Sequence, residues 1–179
     1  MSTDNTLPTR VPAPHEILVN LQRVVLSTPP EQLWMEAWQA VPESDCHPLA
    51  RSSVDRSAWS CGTVACVAGH AALDGWFNEH GLRMIRLNGD DGDGLVEYTA
   101  PNGDTFVAYR ALSMLMAGTK APDGPSWEDW DGYATRLFDP ETYADLYDTP
   151  EELRRLVLAN INMLLELNPA PKTGDTHAK

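Results

Sequence analysis

Cys61-Gly62-Thr63-Val64-Ala65-Cys66-Val67-Ala68-Gly69-His70-Ala71-Ala72-Leu73, running on through Asp74-Gly75-Trp76-Phe77 to His80, is almost free of polar side chains before Asp74. At 100° per residue, His70, Leu73 and Phe77 fall within about 40° of Cys66 on one helical face. Ala65, Gly69 and Ala72 form a neighbouring strip of small side chains, where another element can approach closely. Each interior glycine costs a helix about 1 kcal/mol relative to alanine, so Gly69 and Gly75 need compensation from packing. The pattern predicts a central buried helix over about 62–80, around which the rest of the domain is built.

Downstream of Gly81 the period changes from helical to alternating. Met84–Leu87, Leu95–Ala100 and Thr105–Ala108 read as short strands, and Pro101-Asn102-Gly103-Asp104 joins the last two. Asn-Gly between alternating apolar residues is a strong hairpin signal because both residues tolerate positive φ. This predicts a small antiparallel β-meander over about 83–108. Tyr109–Ala117 reads as a helix stopped by Gly118. Ser126 and Asp129 cap a helix through Phe138, and a short helical turn follows Pro140. Thr149-Pro150-Glu151-Glu152 combines a hydroxyl cap, a proline in the first turn and a glutamate reaching back. It opens a last helix that buries Leu153, Leu156, Val157, Ile161, Leu164 and Leu165 and ends before Pro169.

Upstream, Ile17, Leu18, Leu21, Val24 and Val25 are spaced for a helix from Pro14 to about Ser27. Thr28-Pro29-Pro30-Glu31 repeats the capping signature and predicts a second helix to about Ala40, with Leu33, Trp34 and Trp38 apolar. Residues 41–60, with Pro42 and Pro48, read as a long irregular connection. The expected architecture is α+β: a mainly helical single domain over 14–167, a disordered segment over 1–13 and a flexible tail over 168–179.

Composition narrows the function classes. The 179 residues carry a formal charge of −13, which disfavours nucleic acid and anionic membranes, both of which select Lys and Arg. A chain of this length buries enough surface to fold without disulfides or metals. No apolar run approaches the roughly 18 residues of a membrane span, and Met1–Pro14 lacks the apolar core of a signal peptide. Three cysteines do not make a secreted disulfide framework. A cytoplasmic protein is the expectation.

The charge is concentrated. Residues 121–150 hold eight acids and one base, more than half the net charge in one sixth of the chain. Trp127, Trp130, Tyr133, Phe138, Tyr143 and Tyr147 are interleaved with them. A solvated helical hairpin with its aromatics facing the core accounts for that pattern. An interface for a protein with a basic surface accounts for it too, since aromatics concentrate in interface cores and acidic fields steer cations. The candidate partner-binding residues are Trp127, Glu128, Trp130, Asp131, Asp145 and Asp148.

Cysteine and histidine supply a competing site. Cys66 and His70 are one turn apart, Cys61 lies near a helix start where the dipole lowers a thiol pKa, and Cys46 and His47 come from the preceding connection. Together they offer five zinc-compatible side chains, enough for a four-ligand site, although the spacing departs from standard zinc patterns of paired ligands. Core thiols with a hydrogen-bonded histidine explain the same residues. For Cys61 as a nucleophile in a cysteine-dependent hydrolase, His70 lies roughly 13 Å along the helix, too far to take its proton. The loop Asn88–Gly94 has aspartates at two EF-hand positions but lacks the first and last ligands, and reads as a hairpin loop. No catalytic residue, resident metal or other cofactor is assigned.

The motif C-G-T-x-x-C-x-A-G-x-A, present as Cys61, Gly62, Thr63, Cys66, Ala68, Gly69 and Ala71, resembles that of a group of small uncharacterised proteins from bacteria and their phages. Later elements of the resemblance are Ala111–Met116, Leu137-Phe138 and Thr149–Leu167, within roughly residues 55–167; only the eleven-residue core is specific. The resemblance implies a phage association and no activity. Members often carry tryptophan at the position of His70, which implies a packing role for the motif. The resulting expectation is a non-enzymatic cytosolic binding or accessory protein, a phage-derived modulator of a host protein acting through residues 127–148. The alternatives are the zinc or reactive-thiol site and an acidic mimic of nucleic acid.

Overall fold

The structure is a computed structural model and describes residues 7–33, 66–85, 95–122, 137–138, 142–143 and 146–171. Helix α1, Pro14–Ser27, starts with proline in its first turn, and the Glu16 carboxylate reaches back 2.8 Å to accept the Ala13 N–H. Its five apolar residues, Ile17, Leu18, Leu21, Val24 and Val25, are all buried. Thr28 does not cap a following helix. Its hydroxyl donates to Val24 O at 2.8 Å and its N–H bonds the same carbonyl, so Thr28 closes α1. The Thr28 capping box is therefore absent, and Pro30–Gln32 makes one 3-10 turn that Leu33 leaves in extended geometry (φ −89°, ψ 110°). Two consecutive prolines remove donors at the start, while the Thr28 oxygen is already engaged behind it. The rest of the expected second helix lies outside the described residues.

The central apolar stretch is divided rather than continuous. Helix α2 is Val67–Leu73 and helix α3 is Gly75–Glu79, with Asp74 extended between them (φ −77°, ψ 137°). Asp74 accepts the Trp76 N–H at 3.0 Å and forks onto Arg23 of α1 at 2.7 and 3.0 Å. A cap and an ion pair thus compete with helix continuation and prevail, aided by Gly75, a poor helix former at the break. Within α2, Val67, Ala68, Gly69, Ala71 and Ala72 are buried, so this is the expected core segment, shortened. Residues 62–65 of the expected helix lie outside the described residues.

Strands β1 (Leu82–Ile85), β2 (Leu95–Thr99) and β3 (Thr105–Val107) form an antiparallel sheet in the order β1-β2-β3. The register sets Leu82 opposite Tyr98, Met84 opposite Val96, and Tyr98 opposite Phe106. Leu82, Met84, Val96 and Tyr98 face the core, while Arg83 and Glu97 pair across the other face at 2.8 Å. Period-2 alternation thereby fixes the register, because a one-residue slip would exchange these faces. The first strand begins two residues before its predicted start, directly after Gly81. That glycine sits at φ +92°, with Thr99 O and Pro8 where a side chain would be.

Helix α4, Ala108–Leu115, follows β3 without a linker, and the chain turns at Ala108 with φ +54°. Gly118 ends the region at φ +86°, as predicted. Helix α5, Pro150–Leu167, has the full capping box at Thr149: Glu152 N–H to Thr149 Oγ1 at 3.2 Å, and Thr149 N–H to Glu152 Oε2 at 3.1 Å. α1 lies against α5 and α2, α2 against β1 and β2, and α4 against β2 and β3. One core results, with Phe77, Tyr98, Leu115, Met116, Tyr143, Leu153 and Ile161 among its largest fully buried side chains. The architecture is α+β, as the alternation of periods indicates.

Both chain ends are partly built into this body. Pro8 and Pro12 are buried, and Arg10 forks onto Glu16 at 2.6 and 2.8 Å, so the described part of segment 1–13 lies along the domain. Asn168, at the start of the expected tail, is buried. It accepts the Lys120 N–H at 2.7 Å and donates to Lys120 O and Leu164 O, while its own carbonyl accepts His15 Nδ1–H.

Candidate functional site

Of the cysteine and histidine candidates, Cys66 and His70 are described; Cys46, His47 and Cys61 lie outside the described residues. Cys66 is the N-cap of α2 rather than a residue of its interior, and its Sγ accepts the Gly69 N–H at 3.5 Å. The thiol is 3% exposed, and burial pushes it up to about 11 against the lowering effect of nearby backbone N–H groups. At neutral pH it is a protonated packing group, since the thiolate is the form that attacks or ligates. His70 is one turn on. Its Nε2 lies 2.8 Å from Gln32 O, and because a carbonyl only accepts, Nε2 carries the proton and donates. The histidine thus ties α2 to the 3-10 turn after α1. Among the described residues no group of three or more His, Cys, Asp or Glu side chains is placed to hold a metal. No helix among them is long and apolar enough to cross a membrane.

The acidic aromatic candidates divide similarly. Asp148 is described; Trp127, Glu128, Trp130, Asp131 and Asp145 lie outside the described residues. The described parts show how the stretch is anchored. Leu137 and Phe138 are buried, and Tyr143 is buried with its hydroxyl donating to Leu137 O at 3.2 Å and accepting from Asn160 Nδ2 of α5 at 3.1 Å. Those aromatics serve the core. Beyond the anchor the character reverses: Leu146 is 62% exposed, Tyr147 is half-buried against the core, and Asp148 is exposed. The Asp148 N–H donates to Glu152 Oε2 at 3.0 Å, leaving its own carboxylate outside the capping arrangement.

A feature the sequence reading did not single out adjoins this turn. Glu151, Glu152, Arg154, Arg155, Leu158, Ala159 and Asn162 line a shallow, open hollow on α5. Glu151 pairs with Arg154 at 2.8 Å, and the carboxyl of Glu152 is held below its ordinary range chiefly by the Asp148 N–H. The i, i+3, i+4 recurrence of polar residues along α5 was the available signal, but it reads equally as an ordinary solvated face. Glu151 and Glu152 are each bonded to neighbours at this end of α5.

Comparison with family models, with curated proteins and with solved structures returns no match. What stands is an α+β domain with an acidic, aromatic stretch whose described residues Leu137, Phe138 and Tyr143 are buried in its core.

Proposed function

We propose that this chain is a non-enzymatic binding or accessory protein that meets a protein with a basic surface through residues 127–148. The observation that carries this reading is the concentration of eight acids against one base in residues 121–150, interleaved with aromatics. The anchoring geometry supports it. Leu137, Phe138 and Tyr143 spend their apolar surface in the core, whereas Leu146 and Asp148, two residues apart, are both exposed. Apolar contact area flanked by negative charge is suited to a cationic partner, with long-range attraction raising the association rate.

The test is crosslinking and native mass spectrometry of the protein recovered from lysate, beside a variant carrying Trp127→Ala, Trp130→Ala, Asp145→Lys and Asp148→Lys. A partner with a basic face that is retained by the wild-type chain and lost by the variant, with binding that weakens as salt rises, is the expected result. A partner bound equally by both overturns the assignment of the surface. Elemental analysis of the same preparation addresses the zinc reading: stoichiometric zinc would move the site to Cys46, His47, Cys61, Cys66 and His70.

A further inference from the structure

The β2–β3 turn brings together an exposed asparagine, an exposed glycine and an aspartate. Gly103 has φ +88° and no side chain to obstruct approach to its nitrogen; the nearest atom to the position of a β-carbon is Leu7 Cδ1 at 3.9 Å. Asn102 donates from Nδ2 to Asp104 Oδ2 at 2.8 Å and accepts the Asp104 N–H on Oδ1 at 3.1 Å. The Gly103 N–H is itself given to Ala100 O at 2.9 Å. We propose that Asn102 is a site of spontaneous deamidation in the folded protein, its rate held down by the Asp104 latch and by the Gly103–Ala100 hydrogen bond.

The chemistry needs only water. The Gly103 nitrogen loses its proton to solvent base and attacks Cγ of Asn102. A nitrogen–carbon bond forms, the Cγ–Nδ2 bond breaks, and ammonia leaves with the proton it needs. The resulting succinimide takes up water at either carbonyl and opens to aspartate or to isoaspartate. Nothing is oxidised or reduced. Two hydrogen bonds stand in the way: Gly103 must give up Ala100 O before its nitrogen can attack, and the Asn102 amide must turn away from Asp104.

The product opposes the turn that made it. A carboxylate at 102 faces the Asp104 carboxylate where an N–H donated before, turning attraction into repulsion. Isoaspartate also adds a backbone atom to the loop that sets Thr99 opposite Thr105 and, through that register, keeps Tyr98 inside.

Peptide mapping after incubation at physiological pH and temperature tests this. Cleavage at Arg86 and Arg110 leaves Asn88 and Asn102 on one peptide, so fragment ions must assign the change to Asn102. Expected are accumulation of aspartate and isoaspartate at 102 in the folded chain and a faster rate in the urea-unfolded chain. Asp104→Ala should accelerate conversion about twofold to tenfold, the factor one exposed hydrogen bond represents, and Asp104→Asn should restore the slower rate. Asn102→Asp, which reproduces the charge of the product, should lower the Tm by about 1–4 °C. Absence of conversion at 102 in the folded protein while the unfolded chain converts would overturn the proposal. So would equal rates in the folded and unfolded states, or an Asp104→Ala rate matching wild type.

Discussion

Replacing Gly81 by alanine probes a close approach between two stretches of backbone. Gly81 stands between α3 and β1 at φ +92°, and an added β-carbon would lie 2.1 Å from Thr99 O and 2.8 Å from Pro8 Cγ. Two costs combine. The left-handed backbone costs an L-residue about 1–2 kcal/mol, and forcing a methyl into a filled space costs about 1–3 kcal/mol. Pro8 is itself buried, and Thr99 O belongs to β2, whose Thr99 N–H is bonded to Gly81 O at 2.9 Å. Relief of the clash therefore pulls on the first hydrogen bonds of the sheet. The loss expected for Gly81→Ala is about 2–5 kcal/mol, or about 5–15 °C in Tm for a chain of this length. Gly118→Ala is the internal reference, because Gly118 has φ +86° with nothing within 4 Å of the added carbon. It incurs the backbone cost alone. Both substitutions gain the same entropic benefit from a stiffer unfolded chain, which cancels in the comparison. Urea unfolding of both variants, followed by circular dichroism, gives the difference directly. If Gly81→Ala loses no more stability than Gly118→Ala, the steric account of this junction is refuted.

Three further outcomes follow from the same structure. Asp74→Ala should cost about 1–2 kcal/mol through loss of the α3 cap, with at most about 1 kcal/mol more from the half-exposed pair with Arg23; Asp74→Asn, which keeps a cap acceptor, should recover most of it in the same urea titration. Cys66, buried and with its thiol pushed up to about 11, should resist iodoacetamide at neutral pH in the folded protein and label readily in urea; rapid labelling of the folded chain at Cys66, read by peptide mapping, would contradict its place in the core. The Arg10 hydrogen bonds hold the Glu16 carboxyl down to about 2. A depressed carboxylate contributes stability above its unfolded value and loses it as pH falls through its folded value. The Glu16 contribution should therefore disappear between pH of about 4.5 and about 2, and Arg10→Ala should flatten that part of the stability–pH curve. An unchanged acid limb in Arg10→Ala would show that the pair does not form in solution.

The elements most legible in the sequence were those whose local signals agreed with one another. In α5, the Thr149 cap, Pro150, Glu152 and the apolar spacing all specify the same helix, and Leu153, Val157, Ile161 and Leu164 are buried as read. The meander was legible for the same reason, with alternation and the Asn102-Gly103 turn fixing one register. Errors arose where one residue had two uses. Thr28 carries a capping pattern forward, yet its hydroxyl is taken by Val24 O behind it. Asp74 looked like the first polar residue on a long helix, and its partner Arg23 is distant in sequence. Periodicity carries no information about such a tertiary ion pair, and so it read through the break. Asn168 was placed in the tail because nothing local distinguishes it; its partners Lys120 and His15 lie on other segments.

The same distinction governs the candidate sites. One-turn spacing relates Cys66 and His70, whose N–H bonds Cys66 O at 3.0 Å, but spacing says nothing about what each side-chain atom is already bonded to. A thiol used as a helix cap and an imidazole Nε2–H given to a backbone carbonyl are both structural uses, which periodicity alone does not reveal. In the acidic stretch, counting could not separate aromatics that complete the core from groups left for a partner. Burial makes that separation residue by residue: Leu137, Phe138 and Tyr143 face inward, Tyr147 is half-buried against the core, and Leu146 and Asp148 face outward. Substitutions at the inward-facing residues should act on stability, and those at the outward-facing residues of the proposed interface should act on binding. An effect on partner affinity from Asp148→Lys with no change in unfolding midpoint is therefore the signature that distinguishes an interface from a solvated face.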